Sequence, residues 1–182
     1  LEVFPAIGDL VRLSGAVSEF RDATQITLDG AVEIVSSGNT VSATAMSMPF
    51  SDESDLESVE GMLISFSQEL VVTDNYNLGR FGQFQVSSER LYIPTNQFPA
   101  GSPEAIALAT ANSADRLLID DGNSAQNPNV LPFPEAGLSF VDTLRLGDSV
   151  VNPEGVLHYA FGHYNLITTE GLTFAPTKAH TV

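Results

Sequence analysis

The chain has 182 residues, 43% of them hydrophobic, with no cysteine and 23 acidic against 7 basic side chains for a net charge of −16. Such a chain can bury a real core as one large or two small domains, which excludes wholesale disorder. A disulfide scaffold, a thiol nucleophile and a thiolate metal site are excluded as well, and the charge is opposite in sign to that of a generic phosphate binder.

The opening motif is Gly8-Asp9, a β-branched stretch, Gly15, and then an apolar run to Phe20. Val11 to Val17 and Thr24 to Leu28 read as strands, with Glu19 to Ala23 as a turn of hairpin length. Asp29-Gly30 turns the chain into a further strand, Ala31 to Val35, and Ser36 to Asn39 is a loop by turn chemistry. Residues 40 to 59 change character. Thr40 to Pro49 is small and apolar without regular period, and Ser51 to Glu60 is acidic, reading as a solvated linker or short helix. A calcium site there lacks the EF-hand spacing.

Gly61 to Phe66 and Glu69 to Thr73 read as strands. Phe81 to Ser87 alternates apolar with polar and predicts a half-buried strand, as does Arg90 to Ile93. Ser102, Pro103 and Glu104 form a helix start, so a helix is expected near residues 103–112. Arg116 to Asp120 is a strand, Asp121-Gly122-Asn123 a turn, and the prolines between Asn127 and Pro134 make that stretch irregular. The opening motif then recurs as Gly147-Asp148 … Gly155 … Tyr159, followed by a strand from Tyr164 to Thr168. The copies differ by one residue between their glycines.

Many short strands, frequent turns and one helix predict a mainly β fold, an OB-like barrel with one inserted helix. The repeat adds the closing strands of a second, incomplete OB-like unit ahead of it. The expected division is a partial unit over 1–45, a connector over 46–59, the OB-like barrel over 60–175 and a tail over 176–182. On this reading the chain is a piece of something longer, and a secretory signal, if the parent has one, has been removed.

Several segments in order carry a family resemblance. They are Glu60 to Leu63, Val72 to Gly82, Arg90 to Tyr92 with Pro94 to Asn96, Arg116 to Gly122 with Gln126 to Pro128, and Gly155 to Leu157 with Tyr159, Phe161-Gly162 and Tyr164. From about Ile7 to Phe174 the chain resembles the non-catalytic region of secreted bacterial DNA nucleases of the ExeM/NucH type. The resemblance implies an extracellular, DNA-degrading hydrolase as parent, with an endonuclease/exonuclease/phosphatase-type catalytic domain in the same polypeptide. That domain uses Asn, Glu, Asp and His residues and a divalent metal, Mg or Ca. No stretch here matches that set, so no catalytic residue and no cofactor is expected in this segment.

Two candidate sites follow from the residues. OB folds bind single strands through aromatic and basic side chains. Tyr76, Arg80, Phe81, Arg90 and Tyr92 are such a set, and the charges between Asp74 and Phe98 sum to zero. Phe81 and Phe84, three apart, cannot share a face of a regular strand, so at least one is core; Arg80 could simply pair with Asp74. Asp120, Asp121 and Asn123 offer hard oxygen ligands for a cation such as calcium, but Asp-Asp-Gly-Asn is also ordinary turn chemistry. His158 and His163 flank the last hairpin turn, where a metal pair is conceivable and a solvated hairpin end is preferred; His180 lies in the tail. The function expected is a non-catalytic accessory region that positions the catalytic domain or its DNA. A carbohydrate- or surface-binding β module and an inert spacer are the alternatives. No membrane or disulfide partner is expected.

Overall fold

The computed structural model describes residues 4–131, 133, 134, 137 and 143–177. It opens with β1 (Leu10–Arg12), β2 (Gly15–Phe20), β3 (Ala23–Leu28), β4 (Glu33–Ser36) and β5 (Thr44–Met46). Then come α1 (Glu53–Glu57), β6 (Leu63–Phe66), β7 (Leu70–Asp74), α2 (Leu78–Phe81), β8 (Phe84–Ser87), α3 (Pro94–Gln97) and α4 (Pro103–Ala114). The chain closes with β9 (Leu117–Asp120), β10 (Ser149–Val151), β11 (Glu154–Ala160), β12 (His163–Thr168) and β13 (Thr173–Ala175).

Nine strands form one curled sheet in the order β13-β10-β7-β8-β9-β12-β11-β6-β5, a half-barrel of OB-like, mainly β type. Apolar alternation along β6, β7, β8 and β9 turns one face inward, and Ile64, Phe66, Leu70, Val72, Phe84, Val86, Leu117 and Ile119 are buried there. From the second motif copy, Val150, Leu157 and Leu166 join them with no exposed surface. The rings of Phe84, Phe133 and Phe174 meet edge-on or tilted, with Phe84 at 5.3 Å and 5.8 Å from the other two. Each such side chain contributes about 1.5–3 kcal/mol by leaving water.

The inserted helix is α4. Ser102 Oγ accepts from the Ala105 amide at 3.2 Å, and Pro103 fills the first turn. At its far end buried Asp115 accepts from both the amide (2.8 Å) and the hydroxyl (2.7 Å) of Ser88, tying the helix to the end of β8. The acidic stretch holds the short helix α1, capped by Asp52, which accepts from the Ser54 amide at 2.9 Å. That bond holds the Asp52 carboxyl below its ordinary value. Residues 44–59 also reach the core: β5 runs parallel to β6, and Met48, Phe50, Leu56 and Val59 are buried.

Three expected strands differ. Val11 to Val17 is split into β1 and β2 at Leu13-Ser14, and β2 runs on to Phe20, so the expected turn over Glu19 to Ala23 narrows to Arg21-Asp22. Phe81 closes the helical turn α2, because Gly82 at φ 69° terminates it in the left-handed conformation, so β8 begins only at Phe84. Arg90 to Ile93 is not a strand, since Pro94 starts α3 directly after it.

The repeated motif folds the same way twice. β2 and β3 pair from Gly15↔Leu28 to Phe20↔Ala23, and β11 and β12 from Gly155↔Thr168 to Ala160↔His163. Both hairpins turn on two residues with positive φ, Arg21-Asp22 and Phe161-Gly162. β1 pairs with β4 through Val11↔Ile34, as β10 pairs with β13 through Val150↔Phe174. Asp9 accepts from the Ala6 amide and Asp148 from the Arg145 amide, each at 2.8 Å. A methyl group on Gly15 would lie 2.9 Å from the Thr27 carbonyl carbon, and one on Gly155 would lie 2.9 Å from that of Ile167. In both copies glycine is required because the facing strand passes directly over its Cα.

Candidate functional site

β7, α2 and β8 form a hairpin whose tip carries Tyr76, Arg80 and Phe81. Tyr76 is 90% exposed. The Arg80 guanidinium carbon lies 5.0 Å from the Phe81 ring centroid, and Arg80 Nη2 donates to Gln126 Oε1 at 3.0 Å. Asp74 instead accepts from the Tyr76 amide at 2.8 Å. Phe84 takes the core position and Phe81 stays half-buried outside it.

Arg90 and Tyr92 form a second stack, with the guanidinium 5.9 Å from the ring centroid. It lies beyond the opposite end of β8, where Asn112 of α4 donates to the Tyr92 carbonyl at 2.9 Å and pins the segment. The five predicted residues therefore fall into two groups, Tyr76, Arg80 and Phe81 before β8 and Arg90 and Tyr92 beyond its far end, rather than one patch.

Antiparallel pairing of β8 with β9 (Phe84↔Ile119) brings the predicted oxygen cluster beside the first pair. Asp120 accepts from Gln83 Nε2 at 2.6 Å and from the Gly122 amide at 2.7 Å. Asp121 accepts from the Asn123 amide at 2.8 Å, and Asn123 from the Ala125 amide at 2.9 Å. These are successive side-chain-to-backbone turns of the kind Asp and Asn favour. Gly82 lies against this turn at φ 69°, a left-handed conformation that strains any side chain, and a methyl group there would also displace the Asp121 carboxylate. Among the described residues no group of three or more His, Asp or Glu side chains is placed to hold a metal. His158 and His163 flank the last hairpin turn, both exposed, and His180 lies outside the described residues.

Burial, and secondarily the neighbouring Asp120 carboxylate, raises the Asp121 carboxyl above its ordinary value. A raised folded-state value contributes stability below the unfolded value, and that contribution is lost as pH rises through the folded value. Asp121→Asn keeps the oxygen that accepts from Asn123 and removes the charge. It is expected to raise the melting temperature slightly at pH 7, with the gain vanishing below about pH 3. Thermal melts across pH check this; an equal gain at low pH would place the effect outside ionisation.

A groove of about 540 Å³ lies elsewhere on the sheet, lined by Phe50, Leu56, Gln85, Arg116, His163 and Tyr164 among others. The Tyr164 hydroxyl donates to Glu57, and Arg116 reaches Gln85 at 3.4 Å. Four chain segments build it, so no sequence motif announces it.

The family described as Domain of unknown function (DUF8508) matches residues 25–179, most of the chain. The chain belongs to that family. The DUF8508 match runs from within β3 through β13, and so takes in the whole half-barrel, both aromatic–arginine pairs and the Asp120-Asp121 turn. No curated protein and no solved structure matches the chain.

Proposed function

We propose that this chain is a non-catalytic accessory region of a secreted bacterial DNA-degrading nuclease, presenting single-stranded DNA to a catalytic domain of the same polypeptide. The observation that carries the reading is the Arg80–Phe81 stack beside exposed Tyr76. It is built from Val72 to Gly82, the segment most distinctive of the nuclease resemblance. The divalent metal, Mg or Ca, belongs to the parent's catalytic domain on this reading.

The placement of Asp120 against Gln83 and of Asp121 against Gly82, three and two residues past Arg80, refines the mode of contact. The stretch from Asp74 to Phe98 is neutral in sequence, yet two carboxylates close in on it from β9. Phosphates are disfavoured there, so base stacking on Tyr76 and Phe81 carries the interaction, at about 1–3 kcal/mol per base. Affinity then depends only shallowly on salt, unlike phosphate-driven binding.

Fluorescence titration with single- and double-stranded oligonucleotides at low salt is the test. Single strands are expected to bind in preference, and Tyr76→Ala or Arg80→Ala to weaken binding about tenfold, or about 1.4 kcal/mol. Loss in Arg90→Ala as well means that the strand runs the length of β8. If neither DNA form binds, and Arg80→Ala leaves the parent nuclease unchanged, the DNA reading fails in favour of an inert spacer. Binding of oligosaccharide in place of DNA would favour a carbohydrate-binding module, since tyrosines also stack on sugars.

A further inference from the structure

The two copies of the motif are folded alike but covered differently. In the second copy β10 lies against β7, β11 against β6, and β12 runs parallel to β9. Those front-half strands bury Leu157 and Leu166 completely. In the first copy the equivalent residues are Val17 and Ile26, 68% and 45% exposed, and Phe20 and Leu28 beside them are exposed too. Among the described residues β1 pairs only with β4 and β2 only with β3, each as a two-stranded sheet. Among the described residues, the backbone edges of β1 and β2, whose counterparts meet β7 and β6 in the second copy, are open in the first; the outer edge of β3 is met by the second unit, where the Thr24 amide donates to Glu60.

We propose that β1–β4 is the docking surface for a second front half, a polypeptide segment of the β6–β9 plan supplied from the N-terminal side of the same polypeptide. The interface it forms repeats the pairings of β7 with β10 and of β6 with β11. Its geometry is specified: an antiparallel strand on β1, as β7 lies on β10, and an antiparallel strand on β2, as β6 lies on β11. The occupant presents alternating apolar side chains, because Val17 and Ile26 stand where Leu157 and Leu166 meet the core. Its source follows from chain order, since in the complete unit the front half precedes the back half.

A second copy of this chain fits poorly. Its own β6, β7 and β9 are already hydrogen-bonded to β11, β10 and β12, and Leu70 and Val72 are already buried. Offering them to a neighbour would unmake its own core. The two units meet at β3, where the Thr24 amide lies 3.4 Å from a Glu60 carboxylate oxygen, and among the described residues no strand of the second unit pairs with β1 or β2.

The test compares the 182-residue chain with a tandem chain carrying an added copy of residues 44–146 joined directly to Gly8. Amide exchange at the open edges of β1 and β2 is expected to slow at least about tenfold in the tandem chain. Val17→Asp should lower the melting temperature of the tandem chain and leave that of the parent chain unchanged. Unchanged exchange in the tandem chain overturns the proposal. If the tandem chain fails to fold, the parent chain decides. A marked drop in its melting temperature with Val17→Asp, or concentration-dependent protection of β1–β3 with dimer formation by sedimentation, overturns the proposal; their absence upholds the open surface.

Discussion

Phe84→Ala is expected to lower the free energy of unfolding by about 3–5 kcal/mol, read from urea denaturation. The ring is 1% exposed and meets Phe133 and Phe174 at 5.3 Å and 5.8 Å. Removing it deletes the shared partner of two aromatic contacts, on β8 in the middle of the nine-stranded sheet. The surrounding strands cannot collapse into the space without breaking the register of β7 and β9 on either side. Phe81→Ala, three residues earlier on the half-buried tip, is expected to cost only about 0.5 kcal/mol. Equal losses in the two variants would mean that the core and tip positions have been exchanged. A loss below about 1 kcal/mol at Phe84 would contradict the aromatic cluster.

Gly155→Ala is the second large effect, a loss of about 3 kcal/mol at the upper end of what overpacking costs. A methyl group there lies 2.9 Å from the Ile167 carbonyl carbon and 3.0 Å from Leu166 Cγ. β11 is held between β12 and β6, so neither neighbour can move away without opening the sheet. Gly15→Ala meets the same crowding, 2.9 Å from the Thr27 carbonyl carbon, in a ribbon of only two strands. That ribbon can splay toward solvent. The expected result is faster amide exchange confined to β2 and β3, with the main thermal transition unmoved. A global loss from Gly15→Ala would mean that the first hairpin is packed as tightly as the second.

The contrast between these glycines shows what the repeat disclosed and what it left open. Both hairpins were legible because their signals, strand-like runs parted by a short turn, are local, but their bounds were not: Gly15 falls within one expected strand and instead opens β2. Ser102-Pro103-Glu104 marked α4 for the same reason, since a cap satisfies the first turn with residues adjacent in sequence. Phe81 to Ser87 misled because alternation alone cannot register Gly82, whose left-handed conformation ends a helical turn first. Residues 40–50 carried no period, yet β5 pairs there with β6 and Met48 and Phe50 enter the core.

The candidate site divides in the same way. Arg80–Phe81 and Arg90–Tyr92 were identifiable as aromatic–basic neighbours, but they are held apart because β8 runs extended between them. The meeting of Gly82 and Gln83 with the Asp120-Asp121 turn comes from the pairing of β8 with β9, a contact between distant segments. By itself the sequence determined a mainly β, acidic, cysteine-free chain with a motif used twice, because composition, turn chemistry and short-range periodicity are properties of neighbouring residues. Only the tertiary structure decided that Leu157 and Leu166 are buried while Val17 and Ile26 are not. Burial depends on which strands lie alongside, and the two copies of one local pattern have different neighbours.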